Sequence, residues 1–353
     1  MAYTDIDDPT IYFNTVLYTG TGSSNAVTGV GFQPDWVWIK SRSLSQDHKL
    51  HDIVRGTNGG FFESLRSNSS VASDVASDGA ADNTGMSAIG SDGFTVVSND
   101  SHNKSSATYV AWNWKAGGSA SSNSDGSITS SVSANTTAGF SIVKFNKTTN
   151  GSTASTFGHG LSSVPEVILL KRIDGTEDWY TYHTSMGNAA RVQLNSTAAK
   201  TQGTGVWGQT DPTSSVFTVK SFNAGEAIAY CFHSVAGFSK FGTFTGNGNA
   251  DGTFIYTGFK PAFFLLKEIS SAGEGWPLQD NKRDTAINPV STTSYASAAN
   301  AENTGYRYVD FNSNGFKIRN TQDDYNTSGS THIFLAFAES PFVNSSGTPT
   351  NAR

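Results

Sequence analysis

The sequence lacks the residues that would cross-link or export the chain. Its 353 residues include one cysteine, Cys231, so no disulfide can form within the chain. Cys231 lies in the apolar stretch AIAYCFH (227–233), and a free cysteine packs as a small hydrophobe, so we expect a buried core thiol. The first ten residues, MAYTDIDDPT, lack the basic and apolar regions of a secretory signal. These features predict folding in a reducing cytoplasm.

Charge is also scarce. Charged residues make up 15% of the chain, and the net charge is −6. Lysine and arginine form no long cluster, which argues against a nucleic-acid partner. No apolar run is long enough to span a bilayer, so we expect no membrane insertion.

Recognisable catalytic motifs are missing. The sequence has no G-x-S-x-G elbow, no phosphate-binding loop and no H-E-x-x-H. We therefore expect a protein without enzymatic activity. A glycosidase needs only two carboxylates in a cleft, at no fixed spacing in the sequence, so a depolymerase stays open as an alternative.

A sustained 3.6-residue apolar period is absent as well. The 36 glycines, together with many serines, threonines and asparagines, disfavour long helices. Apolar residues stand instead in short runs rich in Val, Ile, Phe, Tyr and Trp, between clusters of turn-forming residues. Such runs are typical of an all-β sandwich or barrel.

What the chain does have is one seven-residue phrase in three versions: PDWVWIK (34–40), PEVILLK (165–171) and PAFFLLK (261–267). The residues that bound the phrases form a repeat signature: Pro34, Lys40, Pro165, Lys171, Pro261 and Lys267. A repeat indicates one supersecondary unit used several times. Each phrase is apolar on both faces, which predicts a central strand covered on both sides. We expect the lysines to solvate the strand ends, with a binding role as the alternative.

Other segments repeat in the same order around the phrases. A strand and turn precede each phrase, and an apolar strand with a central alanine (Ala111, Ala229 or Ala336) closes each repeat. We therefore predict an all-β chain of three divergent tandem β-sandwich repeats of jelly-roll-like form. Their boundaries are 1–118, which includes an N-terminal segment, 137–236 and 237–343. Residues 119–136 are a Ser/Gly-rich linker or an edge strand, and residues 344–353 are an exposed tail.

Several of these segments carry a family resemblance. SANTTAGFSIV (133–143), FGHGL (157–161) and P-x-x-x-x-x-K-R (165–172) resemble a repeat module of marine bacteriophage virion proteins, chiefly predicted tail-fibre and structural proteins. The first repeat resembles a sister version through GFQPDWVWIKSR (31–42) and YVAWNWKAGG (109–118). The third repeat matches more loosely, because FGHGL has no counterpart there.

The resemblance implies a structural protein of the virion, folded and assembled in the host bacterial cytoplasm. We place it in a tail fibre, spike or other receptor-binding appendage. A capsid decoration protein or head fibre is one alternative, and a glycan-binding module or depolymerase spike is another. Phage appendages are usually symmetric, so the resemblance also implies a homo-oligomer, with a trimer as the first expectation. Further partners would be other virion proteins and a glycan or protein of the host-cell surface.

Three tryptophans fall outside the predicted core strands. Trp179, Trp207 and Trp276 lie in variable middle segments of the second and third repeats. An exposed aromatic ring on a loop can stack on a sugar, and tryptophan is also enriched at interfaces between subunits. We take the three as candidate ligand-binding residues, with local packing and a subunit interface as competing interpretations.

No metal or other cofactor is predicted. His48 and His51 lie beside two aspartates, but no further ligands with zinc spacing follow, so a polar loop is the simpler interpretation. The loops NSDG (123–126) and GNGNADG (246–252) offer oxygen ligands for Ca²⁺, although tight turns are the usual role of such residues. We expect His159, between two glycines in FGHGL, to stabilise a turn through local backbone contacts.

Overall fold

A computed structural model describes residues 4–74, 85–203, 205–286 and 288–350. Antiparallel β-strands make up most of its regular structure. The helices in the described ranges are short turns: 3-10 helices at Pro9–Ile11 and Thr184–Met186, and an α-helix at Asp323–Asn326. The all-β class predicted from the short β-branched and aromatic runs is confirmed.

The strands fall into three successive groups, which we call units 1, 2 and 3. Unit 1 contains β1 (Phe13–Thr19), β2 (Asn25–Thr28), β3 (Trp36–Ser41), β4 (Lys49–Asp52), β5 (Thr57–Asn58), β6 (Phe61–Phe62), β7 (Met86–Gly90), β8 (Gly93–Val96) and β9 (Thr108–Trp114). Unit 2 contains β10 (Ser121–Asn123), β11 (Ser130–Asn135), β12 (Phe140–Lys147), β13 (Ser155–Gly158), β14 (Val167–Arg172), β15 (Tyr180–His183), β16 (Ala190–Gln193), β17 (Thr201–Gln202), β18 (Val216–Val219) and β19 (Gly225–Phe232). Unit 3 contains β20 (Ser239–Thr245), β21 (Phe254–Tyr256), β22 (Phe259–Glu268), β23 (Pro277–Asp280), β24 (Ser294–Tyr295), β25 (Val309–Asn312), β26 (Gly315–Ile318) and β27 (Thr331–Pro341).

Each unit has one inner sheet with the same strand order at its centre. The order is β1-β9-β3-β4 in unit 1, β12-β19-β14-β15 in unit 2 and β20-β27-β22-β23 in unit 3. The phrase strand therefore always lies between the closing strand and the strand that follows the phrase. The three phrases occupy equivalent places, as the fixed spacing from proline to lysine predicts.

A smaller outer sheet accompanies each inner sheet: β2-β8-β7 in unit 1, β13-β18 in unit 2 and β21-β26-β25 in unit 3. In units 1 and 3 the first strand pairs with the last, and the second pairs with the one before the last. In unit 2 these two places belong to β12 and β13, because β10 and β11 precede them. This nested pairing is jelly-roll-like. The two sheets of a unit enclose an outer core, whose members include Ile39 in unit 1, Leu170 in unit 2 and Leu266 in unit 3.

The opposite faces of the three inner sheets meet in one shared core. Alternate residues of the phrase strands enter it: Trp36, Trp38, Val167, Leu169, Phe263 and Leu265. Aromatic contacts join the units there, because the Trp36 ring stacks on Tyr230 with ring centroids 4.4 Å apart. Phe13 likewise stacks on Phe337 at 5.3 Å. The repeats are therefore three sides of one body, and both faces of each phrase strand are buried as predicted.

Within residues 119–136, β10 and β11 extend the edge of the unit 2 inner sheet beside β12, so the edge-strand alternative describes this segment better than a linker does. Two details of unit 3 are not visible in the sequence. Pro261 lies inside β22, at a register shift of the kind that tolerates a missing N–H. The counterpart of Ala111 and Ala229 is Phe334 and not Ala336, because Phe334 pairs with Leu266, the residue before the phrase lysine.

The N-terminal and C-terminal segments lie together. Asp5 N donates to Ala236 O at 3.0 Å, and Ile6 enters the shared core. Ser345 donates twice to Asp7, from N to Oδ1 at 2.7 Å and from Oγ to Oδ2 at 2.6 Å. Of the predicted tail, residues 344–350 are largely exposed, and residues 351–353 lie outside the described ranges. Within the described ranges, no helix has the length and apolar character needed to cross a membrane.

Candidate functional site

The phrase lysines end inside the molecule. Lys40, Lys171 and Lys267 are each 0% exposed, so the prediction that they solvate strand ends is wrong. Every ammonium donates to two backbone carbonyls: Lys40 to Ser41 O (2.7 Å) and Leu44 O (3.2 Å), Lys171 to Arg172 O (2.7 Å) and Ser70 O (3.1 Å), and Lys267 to Glu274 O (2.6 Å) and Thr197 O (3.5 Å). Burial lowers the pKa of each lysine to about 8, because a charged ammonium is costly away from water.

Two of these bonds cross from one unit to another. Lys171 of unit 2 reaches Ser70 of unit 1, and Lys267 of unit 3 reaches Thr197 of unit 2. Carbonyl oxygens of the neighbouring unit thus take the place of water around a buried cation. Lys171 and Lys267 therefore fasten units together, whereas Lys40 bonds within unit 1. The burial of all three leaves no phrase-lysine ammonium exposed to a ligand.

A second set of contacts closes a ring around the molecule. The residue just before β4, β15 and β23 is His48, Trp179 and Trp276 respectively, and all three are 0% exposed. Each donates a ring N–H to a backbone carbonyl of another unit: His48 Nε2 to Tyr295 O at 2.8 Å, Trp179 Nε1 to Arg66 O at 2.8 Å, and Trp276 Nε1 to Gln193 O at 2.9 Å. The direction runs from unit 1 to 3, from 3 to 2 and from 2 to 1. We call these three contacts the inter-unit ring.

The protonation of His48 follows from its partners. Trp38 Nε1 can only donate, so His48 Nδ1 accepts from it at 2.8 Å. Burial lowers the pKa of His48 well below its usual value, which keeps the ring neutral. The proton therefore lies on Nε2, where it is donated to Tyr295 O.

The tryptophan candidates are committed to packing. Trp179 and Trp276 are members of the inter-unit ring, and Trp207 is 2% exposed in the outer core of unit 2. The Trp207 ring meets Tyr182 edge to face, with centroids 5.7 Å apart. None of the three presents a ring face to solvent, so we withdraw them as ligand-binding residues. Packing within the chain is the interpretation that fits all three: Trp179 and Trp276 pack between units, and Trp207 packs inside unit 2.

Two buried ion pairs add to the contacts between units. Arg55 Nε lies 2.5 Å from Asp52 Oδ2, and Arg283 Nε lies 2.6 Å from Asp280 Oδ2, with all four side chains 0% exposed. Tyr230 of unit 2 donates its hydroxyl to Asp52 at 2.7 Å. Trp112 of unit 1 donates Nε1 to Asp280 of unit 3 at 3.0 Å. These carboxylates are saturated by hydrogen bonds and shielded from solutes, so their role is structural.

The histidines do not converge on a metal site. His48 faces the inter-unit ring, whereas His51 Nε2 lies 2.8 Å from His102 Nε2. In the described part of the chain, no three His, Cys, Asp or Glu side chains are grouped so that they could hold a metal ion. His159 makes the local backbone contact expected of it, because its Nδ1 accepts from Leu161 N at 3.2 Å. Its Nε2 also lies 3.1 Å from Thr213 O, in a segment 54 residues further along the chain.

The two candidate calcium loops are tied by their own hydrogen bonds. Asn123 Oδ1 accepts from Asp125 N at 3.0 Å. Asn247 Oδ1 accepts from Asn249 N at 2.9 Å and from Asn326 Nδ2 at 3.0 Å. The asparagine oxygens on which a Ca²⁺ site would depend thus stabilise turns.

A comparison with protein families places all three units together. The chain belongs to the family described as Domain of unknown function (DUF7483). Its family model matches residues 8–341, from the residue that caps the first 3-10 helix to the end of β27. No curated protein and no solved structure was found to match the chain. The family match therefore covers all three units and the shared core apart from Ile6, and treats the three units as one domain.

Exposed aromatic residues concentrate on unit 3. Among the described residues, Phe254, Tyr256, Tyr306 and Tyr308 are 44%, 62%, 66% and 40% exposed. Their neighbours Ile255 and Val309 point inward and are buried, so aromatic and core positions alternate along the chain. We call the surface formed by Phe254, Tyr256, Tyr306, Tyr308, Lys317 and Arg319 the unit 3 outer face.

Sequence reasoning missed this face and the buried ion pairs. Signals for both are present in the repeats. HDIVRG (51–56) and LQDNKR (278–283) share an aspartate three residues before an arginine. The aromatic residues of TFIYTG (253–258) stand where other repeats carry small ones, which becomes visible only when the short outer strands are aligned.

Proposed function

We propose that this chain is a non-enzymatic structural protein of a bacteriophage particle, located in a tail fibre, spike or other receptor-binding appendage. The resemblance of its repeats to virion modules of marine phages is the first support. The observation that carries the proposal is the inter-unit ring: the repeated residues of the three units bind one another and face no open site. The repeated residues thus serve as a rigid scaffold, and any residues that bind a partner lie on the surface of the chain.

The scaffold leaves outer sheets and loops as the surfaces for partners. Binding residues in many proteins lie on such surfaces, held by a rigid frame. The phrase lysines, the ion pairs and the ring N–H groups are all buried and bonded. This distribution suits adhesion or particle assembly better than catalysis on a bound substrate.

We also propose that the chain assembles with itself, with a trimer as the first expectation, and contacts other virion proteins. Closed symmetry is the rule for homo-oligomers. The three units already surround a pseudo-threefold centre, so one chain could match a threefold neighbour in the particle. Light scattering on the purified chain distinguishes a trimer from a single chain that matches a threefold neighbour. The mass of three chains would support the trimer, and the mass of one chain would rule it out.

Location in the particle is the decisive test. Gold-labelled antibodies raised against the purified chain should mark the tail fibres or tail tip in electron micrographs of the phage that encodes it. Label over the capsid would favour the decoration alternative, and no label on particles would remove the virion assignment. Shortening of host surface polysaccharide by the purified chain would instead indicate a depolymerase.

A further inference from the structure

Two outward positions distinguish unit 3 from the other units. The strands β2, β13 and β21 each pair with the strand before the last of their unit, and a buried pair lies at the same place in each: Val27 with Phe94, Phe157 with Phe217 and Ile255 with Phe316. The residues on either side of this buried pair are Ala26 and Thr28 in unit 1, Thr156 and Gly158 in unit 2, and Phe254 and Tyr256 in unit 3. Gly158 is buried against Asn123, so unit 1 is the open comparison, and its strand forms with two small exposed residues. The fold therefore does not require aromatic rings at these positions.

The two rings rest on glycine backbone. A Cβ at Gly315 would lie 3.1 Å from Cζ of Phe254, so that ring lies over the bare backbone of β26. A Cβ at Gly258 would lie 3.6 Å from the Tyr256 hydroxyl. One side of each ring is thus directed toward the protein, and the substantial exposure of both residues shows that other parts of the rings meet solvent.

Polar groups lie between the rings and sum to no net charge. Lys317 pairs across the sheet with Phe254 on one side and Asp310 on the other. Its Nζ lies 2.8 Å from Asp251 Oδ1, and Arg319 Nε lies 3.6 Å from Asp310 Oδ2. Two cations therefore balance two anions. Such a face offers hydrogen-bond donors and acceptors without attracting a ligand of either charge.

The size of the face selects its occupant. Three strands about 4.8 Å apart, each with about four residues at 3.3 Å, span roughly 10 by 13 Å. A stable protein interface needs about 800 Å² on each partner, several times this area. The face is therefore too small to hold a second copy of the chain by itself, and its dimensions suit a short ligand.

We infer that the unit 3 outer face binds a neutral oligosaccharide. A pyranose presents C–H groups on one side, which stack on an aromatic ring, and hydroxyls around its edge, which can bond Lys317, Arg319 and Asp310. Tyrosine and phenylalanine supply rigid contact area at low cost in side-chain entropy. The inference rests on the proposed adhesive role and gives it a site and a ligand class.

The binding test uses purified full-length chain and three neutral trisaccharides: maltotriose, cellotriose and triacetylchitotriose. Trigalacturonate, an acidic trisaccharide, is the contrast. Saturation-transfer NMR should show transfer to at least one neutral probe and weaker transfer to trigalacturonate, and titration calorimetry should give the affinity. Transfer to none of the neutral probes, or to trigalacturonate alone, would overturn the inference.

A matched pair of variants locates the site. Phe254→Ala combined with Tyr256→Thr installs the two outward residues of unit 1, and should lower the affinity at least tenfold while the melting temperature stays within a few degrees of the parent. The single change Tyr256→Thr, at a residue 62% exposed, should lower affinity without disturbing the fold. Val164→Ala, at an exposed residue outside the face, should change neither quantity.

The remaining outcomes separate this inference from the proposed function. Unchanged affinity in both folded variants would place saccharide binding elsewhere and overturn the site. Loss of a dimer in the double variant, measured by sedimentation, would mean that a second copy covers the face. If particles carry the chain but no saccharide binds, only the site fails. If the chain binds saccharide but is absent from particles, only the virion assignment fails.

Discussion

Three lysines occupy the same point in the three repeats, and each is buried against carbonyl oxygens instead of a carboxylate. Their folded-state pKa is about 8, whereas the ordinary value is 10.5. Between these values the unfolded chain binds more protons than the folded chain, so the free energy of unfolding should rise with pH. Three such groups give a slope of at most about 4 kcal/mol per pH unit. Buried tyrosines such as Tyr230, whose pKa burial raises from 10.0, oppose the rise above about pH 10.

Urea denaturation between pH 7 and pH 10 measures this rise. Replacing one buried lysine, as in Lys40→Met, should remove about a third of it, because one of three titrating groups is lost. Lys104→Met is the control, since the Lys104 side chain is 49% exposed and paired only at the surface. Equal pH dependence in the parent and in Lys40→Met would show that these lysines titrate normally.

Asp52 provides a second prediction for a single residue. Asp52→Asn leaves Arg55 buried without its counter-ion and weakens the bond from Tyr230, so it should cost about 3–5 kcal/mol of stability. Asp174→Asn breaks a pair in which Arg172 and Asp174 are 24% and 40% exposed, and should cost about 0–1 kcal/mol. Similar unfolding midpoints for the two variants would contradict a special role for the buried pair.

At the scale of strands and sheets, the strands within a unit could largely be predicted from the sequence, whereas the contacts between units could not. The phrase strands, their burial on both faces and the closing strands follow from apolar runs and repetition. The burial of Lys267 does not, because one of its two acceptors, Thr197, lies 70 residues away in another unit. Trp179 resembles an exposed loop residue for the same reason: the acceptor of its ring N–H, Arg66 O, lies in unit 1. Ala336 was misaligned because unit 3 has Phe334 at the position of Ala111 and Ala229, and an alanine stands two residues further along the closing strand.

The phrase strands allow a test of both kinds of core. Leu170→Ala and Leu266→Ala create cavities in the outer cores of units 2 and 3, and each should cost about 2–5 kcal/mol. Trp38→Ala should cost about 3–5 kcal/mol from the shared core, and it also removes the donor that orients His48. Thermal melts of all three matching that of Val164→Ala, at a residue 50% exposed, would contradict the assignment of these positions to the core.

At the scale of the whole molecule, the shared core should make the three units unfold together. Separating one unit would expose aromatic residues, because Phe13 and Trp114 of unit 1 both pack against Phe337 of unit 3. We expect a single calorimetric transition whose van't Hoff enthalpy equals the measured enthalpy. We also expect residues 1–236 alone to be unfolded, as judged by lost near-ultraviolet circular dichroism. Two or more transitions, or a folded fragment, would show that the units are independent.

The inter-unit ring also fixes the number of units in the fold at three. In an open array of repeats, each copy contacts only its neighbours, so copies can be gained or lost at little cost. Here every unit both donates a ring N–H to another unit and accepts one, and three members complete the circuit. A fourth copy would have to break one of these contacts and widen the aromatic centre. This architecture therefore cannot gain a further unit by duplication. Sequence variation in the fold is confined to the length of the loops and to the residues on the outer sheets.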